Sequence, residues 1–246
     1  MFISETPQFE IHRLYAHNSL RNYTYLILKK ATREVTIIDP WDAEACLDYL
    51  RNLESSQFFV INTHQHHDHV KGNAGLLAAG AVIQLPDYLQ AQPLPGHTCE
   101  HVVFYLKDES EHLFCGDTLF QAGVGNCKNG GDPLALYASI QWLRTHLLLS
   151  TLLHVGHDYF KKNLHFAQQF EPDNSDIQYY LSNLKLQEGF EMPPNSWAIE
   201  LKINPFLRLS ETALRQGLKR LDKFESSELV SDRDIFIKLR SLRDNF

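Results

Sequence analysis

The chain has 246 residues, of which 43% are hydrophobic, and a formal net charge of -7 at neutral pH. This length allows one large domain or two smaller ones, and the apolar content is sufficient for a hydrophobic core. The negative charge disfavours a nucleic-acid-binding surface, and no apolar stretch approaches the length of a membrane span. Four scattered cysteines and a start without a basic-then-apolar signal predict a reduced, cytoplasmic protein. Its cysteines are expected to be structural thiols, although Cys127 in a Gly/Asn-rich loop could have another role.

The first part of the chain alternates β-rich and helical stretches. A hairpin is predicted from residues 23–29 and 34–39, followed by a helix that Asp42 caps. The further elements expected in this part are a strand at 58–61, a helix at 73–79, strands at 81–85, 102–106 and 112–115, a helix at 134–147 and a strand at 152–155.

Beyond about residue 160 the pattern becomes mostly helical. Helices are predicted at 163–170, 175–187, 211–224 and 232–242, with a short extended piece at 198–203. The sequence therefore predicts an α/β domain over residues 1–159 and a smaller helical domain over residues 160–246.

The densest group of polar side chains, Thr63–His69, directly follows an apolar strand. Residues two apart on an extended backbone point the same way, so His64 and His66 can reach one metal ion. Asp68 and His69 lie past the turn, where they can reach a second ion. Imidazole and carboxylate ligands suit zinc, iron or manganese. The alternative is a histidine-rich surface loop, but so dense a set of ligands is unusual outside a metal site.

Three later strand ends each add one residue of a metal-binding type, namely His97, Asp117 and His157, and each follows a glycine. A single histidine is more often structural than a ligand, but the repetition of one pattern favours a metal site. Because a carboxylate has several lone pairs, Asp117 can bridge two ions. Asp39 also follows an apolar strand, where it could orient a ligand histidine or start a helix.

The motifs T-H-Q-H-H-D-H, P-G-H-T, C-G-D-T-L-F and G-H-D-Y, in this order, resemble those of the metallo-β-lactamase-fold hydrolases. Within that superfamily the chain resembles glyoxalase II, also called hydroxyacylglutathione hydrolase. This narrower resemblance includes R-N-Y at 21–23, N-L-x-F-A at 163–167, N-P-F-L-R at 204–208 and the chain end at 238–246. It extends over nearly the whole chain. It implies an α/β fold, the αββα sandwich, followed by a smaller helical domain.

The resemblance also implies a site with two divalent metal ions, expected to be zinc, with iron or manganese as alternatives. One ion would be held by His64, His66 and His97, the other by Asp68, His69 and His157, and Asp117 would bridge them. Asp68 and Asp117 are then expected to act directly in catalysis, and Asp39 is expected to orient a ligand histidine.

Three residues are implied to bind glutathione. They are Tyr159, directly after the last G-H-D, and the pair Arg240 and Arg243 near the chain end. The two arginines lie three apart on a predicted helix, hence on one face, and a guanidinium suits a carboxylate. The alternative for this pair is an exposed charged face.

The chain departs from the family pattern at four points. Asn126 and Lys128 stand where family members have a basic residue followed two later by an aromatic one. Glu100 replaces a glycine, Arg243 replaces a lysine, and the segment between the first cluster and His97 is short. No metal ligand is lost, so the departures are expected to affect substrate affinity or breadth.

The implied reaction is hydrolysis of S-(2-hydroxyacyl)glutathione thioesters, with S-D-lactoylglutathione as the expected substrate, in methylglyoxal detoxification. Water ionised between two cations would attack the carbonyl, and a thiolate, whose thiol has a pKa of about 8.5, can leave without strong acid help. A persulfide dioxygenase with a single iron, another thioester hydrolase of this fold, a nuclease and a non-catalytic binding module are the alternatives. A monomer with no nucleic-acid or membrane partner is expected.

Overall fold

The computed structural model describes residues 1–106, 111–184, 193–221 and 231–246. Its strands are β1 (Phe2–Glu5), β2 (Phe9–Tyr15), β3 (Tyr23–Lys29), β4 (Glu34–Ile38), β5 (Gln57–Ile61), β6 (Val82–Ile83), β7 (Leu89–Pro93), β8 (Val102–Leu106), β9 (His112–Gly116), β10 (Leu119–Phe120), β11 (Gly123–Val124) and β12 (Leu152–Val155). Its helices are α1 (Ala43–Asn52), α2 (His67–Val70), α3 (Asn73–Ala78), α4 (Pro133–His146), α5 (Phe160–Phe170), α6 (Ser175–Leu184), α7 (Trp197–Ile203), α8 (Thr212–Arg220) and α9 (Asp232–Asp244), with a 3₁₀ turn at Pro205–Leu207.

The chain forms two compact units that interleave along the sequence. The first consists of residues 1–93, 100–116 and 154–158, and the second of residues 94–99, 117–153 and 159–246. Because each unit takes in short segments from the other's part of the chain, a division into domains at 159/160 stays a prediction.

Two sheets build the first unit. The larger has the order β1-β2-β3-β4-β5-β6, antiparallel up to β4 and parallel from β4 to β6, and the smaller has the order β12-β9-β8-β7. Tyr25 connects the two sheets, since its ring lies 5.4 Å from that of Phe114 and its hydroxyl donates to the carbonyl of Val155 (2.8 Å). The predicted hairpin and the mixed α/β class are confirmed.

Helix α1 covers one face of the larger sheet. The side chain of Asp42 accepts a hydrogen bond from the backbone N–H of Ala45 (3.2 Å), which satisfies one of the free donors of the first turn. Cys46 and Leu50 then point into a core that includes Leu26 of β3. The predicted cap and helix are both confirmed.

In the parallel part of this sheet, β4 and β5 end at the same edge. Side chains that follow these strands therefore meet, as they do at the carboxyl edges of parallel sheets in general. Asp39 follows β4, and the Thr63–His69 cluster follows β5.

Helices dominate the second unit. In its core, Phe160, Leu164 and Ala167 of α5 pack with Ile177 and Leu181 of α6. The helical character predicted beyond residue 160 is confirmed. Among the described helices, none is long and apolar enough to cross a membrane.

The extended piece expected at 198–203 is wrong, because these residues belong to α7. The stretch I-E-L-K-I alternates apolar and polar side chains, which is typical of a strand. In the structure Trp197, Glu200 and Ile203 are the buried residues, and their spacing of three is helical. Burial of the charged residue Glu200 was not visible in the pattern.

Several short elements were not predicted, namely β1, β2, β7, β10, β11 and α2. The ends of two predicted helices, at 185–187 and 222–224, lie outside the described residues.

Candidate functional site

The histidine cluster begins directly after β5. His66 has an extended backbone conformation, and its Nδ1 atom is 3.0 Å from the Nε2 atom of His64. Thr63 accepts a hydrogen bond from His64 Nδ1 (3.1 Å) while its own hydroxyl donates to Asp39. The proton of His64 is therefore on Nδ1, and its Nε2 lone pair is available to a metal.

Asp68, His69 and His157 form a second group in the same unit. The Nε2 atoms of the two histidines are 3.1 Å apart, and Asp68 Oδ2 lies 3.4 Å and 3.5 Å from them. Two ring nitrogens and a carboxylate oxygen that face one point are a suitable donor set for a divalent metal ion. These three residues therefore fit such an ion.

Asp39 contacts His69 of this group and is only 3% exposed. Its Oδ2 accepts from His69 Nδ1 (2.9 Å) and from the Thr63 hydroxyl (2.6 Å), and its Oδ1 accepts from the Thr63 N–H (2.7 Å). A carboxylate on Nδ1 fixes the tautomer in which Nε2 can bind a metal. This geometry fits the interpretation of Asp39 as a residue that orients a ligand.

His97 and Asp117 are the two candidates that belong to the second unit. His97 Nε2 lies 3.4 Å from Asp117 Oδ2, and His97 Nδ1 donates to the carbonyl of Asn126 (2.7 Å). At Gly125, a Cβ atom would lie 1.9 Å from the Asp117 carbonyl oxygen and 3.1 Å from His97 Nδ1. Only glycine fits so close to the Asp117 backbone and the His97 ring.

The second unit also contains a cleft of about 390 Å³ whose lining is rich in cations. Tyr159, Arg240 and Arg243 line it together, as do Lys128, Lys162 and Asn163. We call this the cationic cleft. Its lining has four basic side chains and one carboxylate, that of Asp244.

The two arginines of the cationic cleft differ in their contacts. Arg240 is 4% exposed, and its guanidinium donates to the carbonyls of Val124 (2.7 Å) and Gly125 (2.9 Å) and to the carboxylate of Asp244 (2.9 Å). Most of its donors are thus used within the protein. Burial lowers the pKa of the Arg240 guanidinium, and the carboxylate of Asp244 opposes this shift.

Arg243 is less enclosed. Its Nε and Nη2 atoms both donate to Asn163 Oδ1, at 3.1 Å and 2.9 Å. Burial, together with the nearby positive charge of Arg240, lowers the pKa of Arg243 to about 10. It remains charged at neutral pH, and two neighbouring cations favour the binding of an anion.

Two lysines complete the positive charge of the cationic cleft. Lys128 is exposed, and its Nζ donates to the carbonyl of Asp244 at the end of α9 (3.1 Å). Lys162 is exposed on α5. From the sequence, Lys128 was noted only as a departure from the family pattern. Lys162 was not identified, because a lysine on an amphipathic helix is usually a solvated residue.

Asn22 is another residue that sequence analysis did not select, although it lies in the R-N-Y motif. Its side-chain amide donates to Asp68 Oδ2 (2.9 Å). The motif was the only sequence signal that could have found it.

Comparison with known proteins identifies relatives along the whole chain. A family model described as "Hydroxyacylglutathione hydrolase C-terminus" matches residues 158–246. The hydroxyacylglutathione hydrolase of Nitrosococcus oceani is 34% identical, over 96% of this chain and 99% of the relative. That of a Polaromonas species is also 34% identical, with the same coverage.

Solved structures show the same fold at lower sequence identity. ETHE1 from Myxococcus xanthus aligns with a TM-score of 0.59 and 22% identity, over 93% of this chain and 98% of that one. A metallo-β-lactamase from Staphylococcus aureus aligns with a TM-score of 0.61 and 18% identity, over 96% and 72% of the two chains. The metallo-β-lactamase fold expected from the motifs is confirmed.

Proposed function

Because the chain belongs to the hydroxyacylglutathione hydrolase family, we propose that it hydrolyses S-(2-hydroxyacyl)glutathione thioesters, with S-D-lactoylglutathione as a substrate. The observation that carries this proposal is the cationic cleft, found in a chain that also has a set of metal ligands. Glutathione has a carboxylate at each end, and the lining of the cleft offers four basic groups for them.

The proposed metal site has two divalent ions, in the arrangement that the family pattern implies. His64, His66 and His97 would hold one, Asp68, His69 and His157 the other, and Asp117 both. Convergence of Asp68, His69 and His157 within the first unit supports this assignment, as does the close approach of His97 and Asp117 within the second. Zinc suits histidine and carboxylate ligands and is the metal we propose.

Bound divalent ions lower the pKa of water and stabilise negative charge on a carbonyl oxygen, and this is the chemistry that thioester hydrolysis needs. The residues of this chain would hold the ions and keep ring nitrogens in the right tautomer. Asp39 does so for His69, and the carbonyl of Asn126 does so for His97. The leaving thiolate needs no strong acid, since the pKa of its thiol is about 8.5.

In the cationic cleft we propose a division of roles between the arginines. Arg243 contacts a substrate carboxylate, with help from Lys128 and Lys162. Arg240 instead holds the backbone of Val124 and Gly125 through its Nη1 atom. The cation that Asn126 lacks would thus be supplied by Lys128, two residues later.

The experiment that tests this function combines metal analysis with thioester assays. We expect two metal ions per chain and rapid hydrolysis of S-D-lactoylglutathione. The same acyl group on a small neutral thiol should be hydrolysed with a KM about tenfold higher or more, because only glutathione has carboxylates for the cationic cleft.

Equal KM values for the two thioesters would contradict a glutathione-specific function and favour another thioester hydrolase. One iron per chain with oxygen uptake would instead identify a dioxygenase of this fold. We further propose a cytoplasmic monomer, which gel filtration and cell fractionation would test.

A further inference from the structure

We propose that Asn22 is a positioning residue that holds the carboxylate of Asp68 in its metal-binding orientation. Asn22 ends the loop between β2 and β3. The inference rests on Asp68 and His157 being metal ligands, as in the proposed function, and adds a residue outside that ligand set.

The contact between the two residues is short and protected from solvent. Asn22 is 1% exposed, and its Nδ2 atom donates to Asp68 Oδ2 (2.9 Å) and, at 3.4 Å, to the Asp68 backbone carbonyl. One amide group thus contacts both the side chain and the main chain of the same residue. This restricts rotation of the carboxylate about its last bond.

Asn18 determines which way the amide of Asn22 faces. Its Nδ2 donates to Asn22 Oδ1 (2.8 Å), and its Oδ1 accepts from the Asn22 backbone N–H (3.2 Å). Since the oxygen of the Asn22 amide is occupied by a donor, the NH₂ group must be the end that faces Asp68. The contact is therefore a hydrogen bond from a neutral donor to a carboxylate.

The same loop also orients the histidine beside Asp68. His157 Nδ1 donates to the backbone carbonyl of Leu20 (2.8 Å), so its Nε2 faces His69 with a lone pair available. The N–H of Asp158 donates to the carbonyl of Arg21 (3.0 Å), and the side chains of Arg21 and Asp158 form an ion pair. Two ligands that are far apart in sequence are thus held by one short loop.

A neutral donor is well suited to this task. It occupies one lone pair of the carboxylate but leaves the negative charge for the metal, whereas a lysine or arginine would compete with the ion. Removing a hydrogen-bond partner of a metal ligand typically weakens metal binding by about 10- to 100-fold. We expect an effect of this size at the ion that Asp68 holds.

The test compares Asn22→Ala and Asn18→Ala with Asn174→Ala as a matched control. Asn174 accepts hydrogen bonds from Asp176 N (3.1 Å) and Ile177 N (3.2 Å) and donates to the carbonyl of Lys202 (3.0 Å), all in the second unit, and none of these partners is a candidate metal ligand. The readouts are a zinc competition titration of the metal-free protein and the increase of Tm when zinc is added.

For Asn22→Ala we expect the affinity of one zinc ion to fall by about 10- to 100-fold, that of the other to stay the same, and the zinc-induced increase of Tm to shrink. Asn18→Ala, which leaves the Asn22 amide free to turn, should cause a smaller loss at the same ion. Asn174→Ala should lower Tm equally with and without zinc.

Unchanged zinc affinities in Asn22→Ala would overturn the inference, as would a loss of Tm that is equal with and without zinc. If Asn22→Ala does not fold, the zinc affinity of Asn18→Ala tests the inference instead. A wild-type zinc affinity in Asn18→Ala would contradict it. A wild-type protein that binds no zinc would instead contradict the proposed function, so the two failures are distinguishable.

Discussion

The candidate metal ligands and the cationic cleft hold their polar side chains in opposite ways. The candidate ligands are short side chains in α2 and in loops that follow strands, and partners such as Asp39 and the Asn126 carbonyl fix their rings. The cleft is lined by long basic side chains from α5, α9 and the loop after β11. The candidate ligands are thus held by hydrogen bonds in a fixed geometry, whereas Lys128 and Lys162 of the cleft are exposed and can change conformation.

The largest expected effect is at Asp117. Replacing it by Asn keeps the shape but removes the negative charge that would be shared by two cations, so kcat should fall by at least about 100-fold together with metal content. Metal analysis and the S-D-lactoylglutathione assay measure this. Asp173→Asn, an exposed residue of the same unit, is the control.

Full activity of Asp117→Asn with a full metal complement would contradict this prediction, because the buried candidate ligand would then be no more critical than a surface group.

The positions of the candidate ligands were easier to predict from the sequence than those of the cleft residues, although their role as ligands stays a prediction. The two-residue spacing of His64 and His66 predicts that their side chains lie close together, and the structure places their ring nitrogens 3.0 Å apart. Nothing comparable determines the direction of Lys128 or Lys162. A lysine has four rotatable bonds, so its position depends on packing that sequence alone does not show.

Contacts between a side chain and a distant part of the backbone are likewise not visible in the sequence. Arg240 was predicted to bind substrate, but whether its donors are free depends on how close the carbonyls of Val124 and Gly125 come. The prediction for the short α7 failed for a related reason. Burial of Glu200 on a helix depends on the tertiary partners Ala122, Asn195 and Asn204.

A smaller effect is expected in the cationic cleft. Arg243→Ala, Lys128→Ala and Lys162→Ala should each raise KM for S-D-lactoylglutathione by about two- to fivefold and change kcat little, since an exposed charge pair contributes about 1 kcal/mol or less. Steady-state kinetics at two salt concentrations measure this. The effects should shrink at high salt because exposed charges are screened.

Lys161→Ala is the matched control for these variants, since Lys161 is exposed next to Lys162 on α5 but is not among the residues that line the cleft. An equal rise of KM in this control would show that the effect comes from overall charge and not from the cleft.

The smallest expected effect concerns a buried histidine that is not a ligand. His154 is 1% exposed and forms a hydrogen bond with His112 (2.9 Å). Burial, with further contributions from His112 and Arg13, lowers the pKa of His154 well below 6.5. Its neutral form therefore stabilises the fold fully above pH 6.5, and this contribution is lost as the pH falls below that value.

Urea unfolding of the metal-free protein between pH 7 and pH 5 measures this loss of unfolding free energy. For one proton the loss is at most about 1.4 kcal/mol per pH unit. His154→Leu should flatten the pH dependence, whereas His146→Gln, at an exposed position, should not. An equally steep profile in His154→Leu would assign the acid sensitivity to other histidines.

Gly125 has a consequence for how this chain can evolve. A side chain there would overlap the backbone of Asp117, and no neighbouring substitution can relieve a clash with a carbonyl group. Substitutions of the exposed lysines of the cleft should therefore be tolerated in the fold, while substitutions at position 125 should not. New specificities would arise by changing the cleft around a glycine that cannot change.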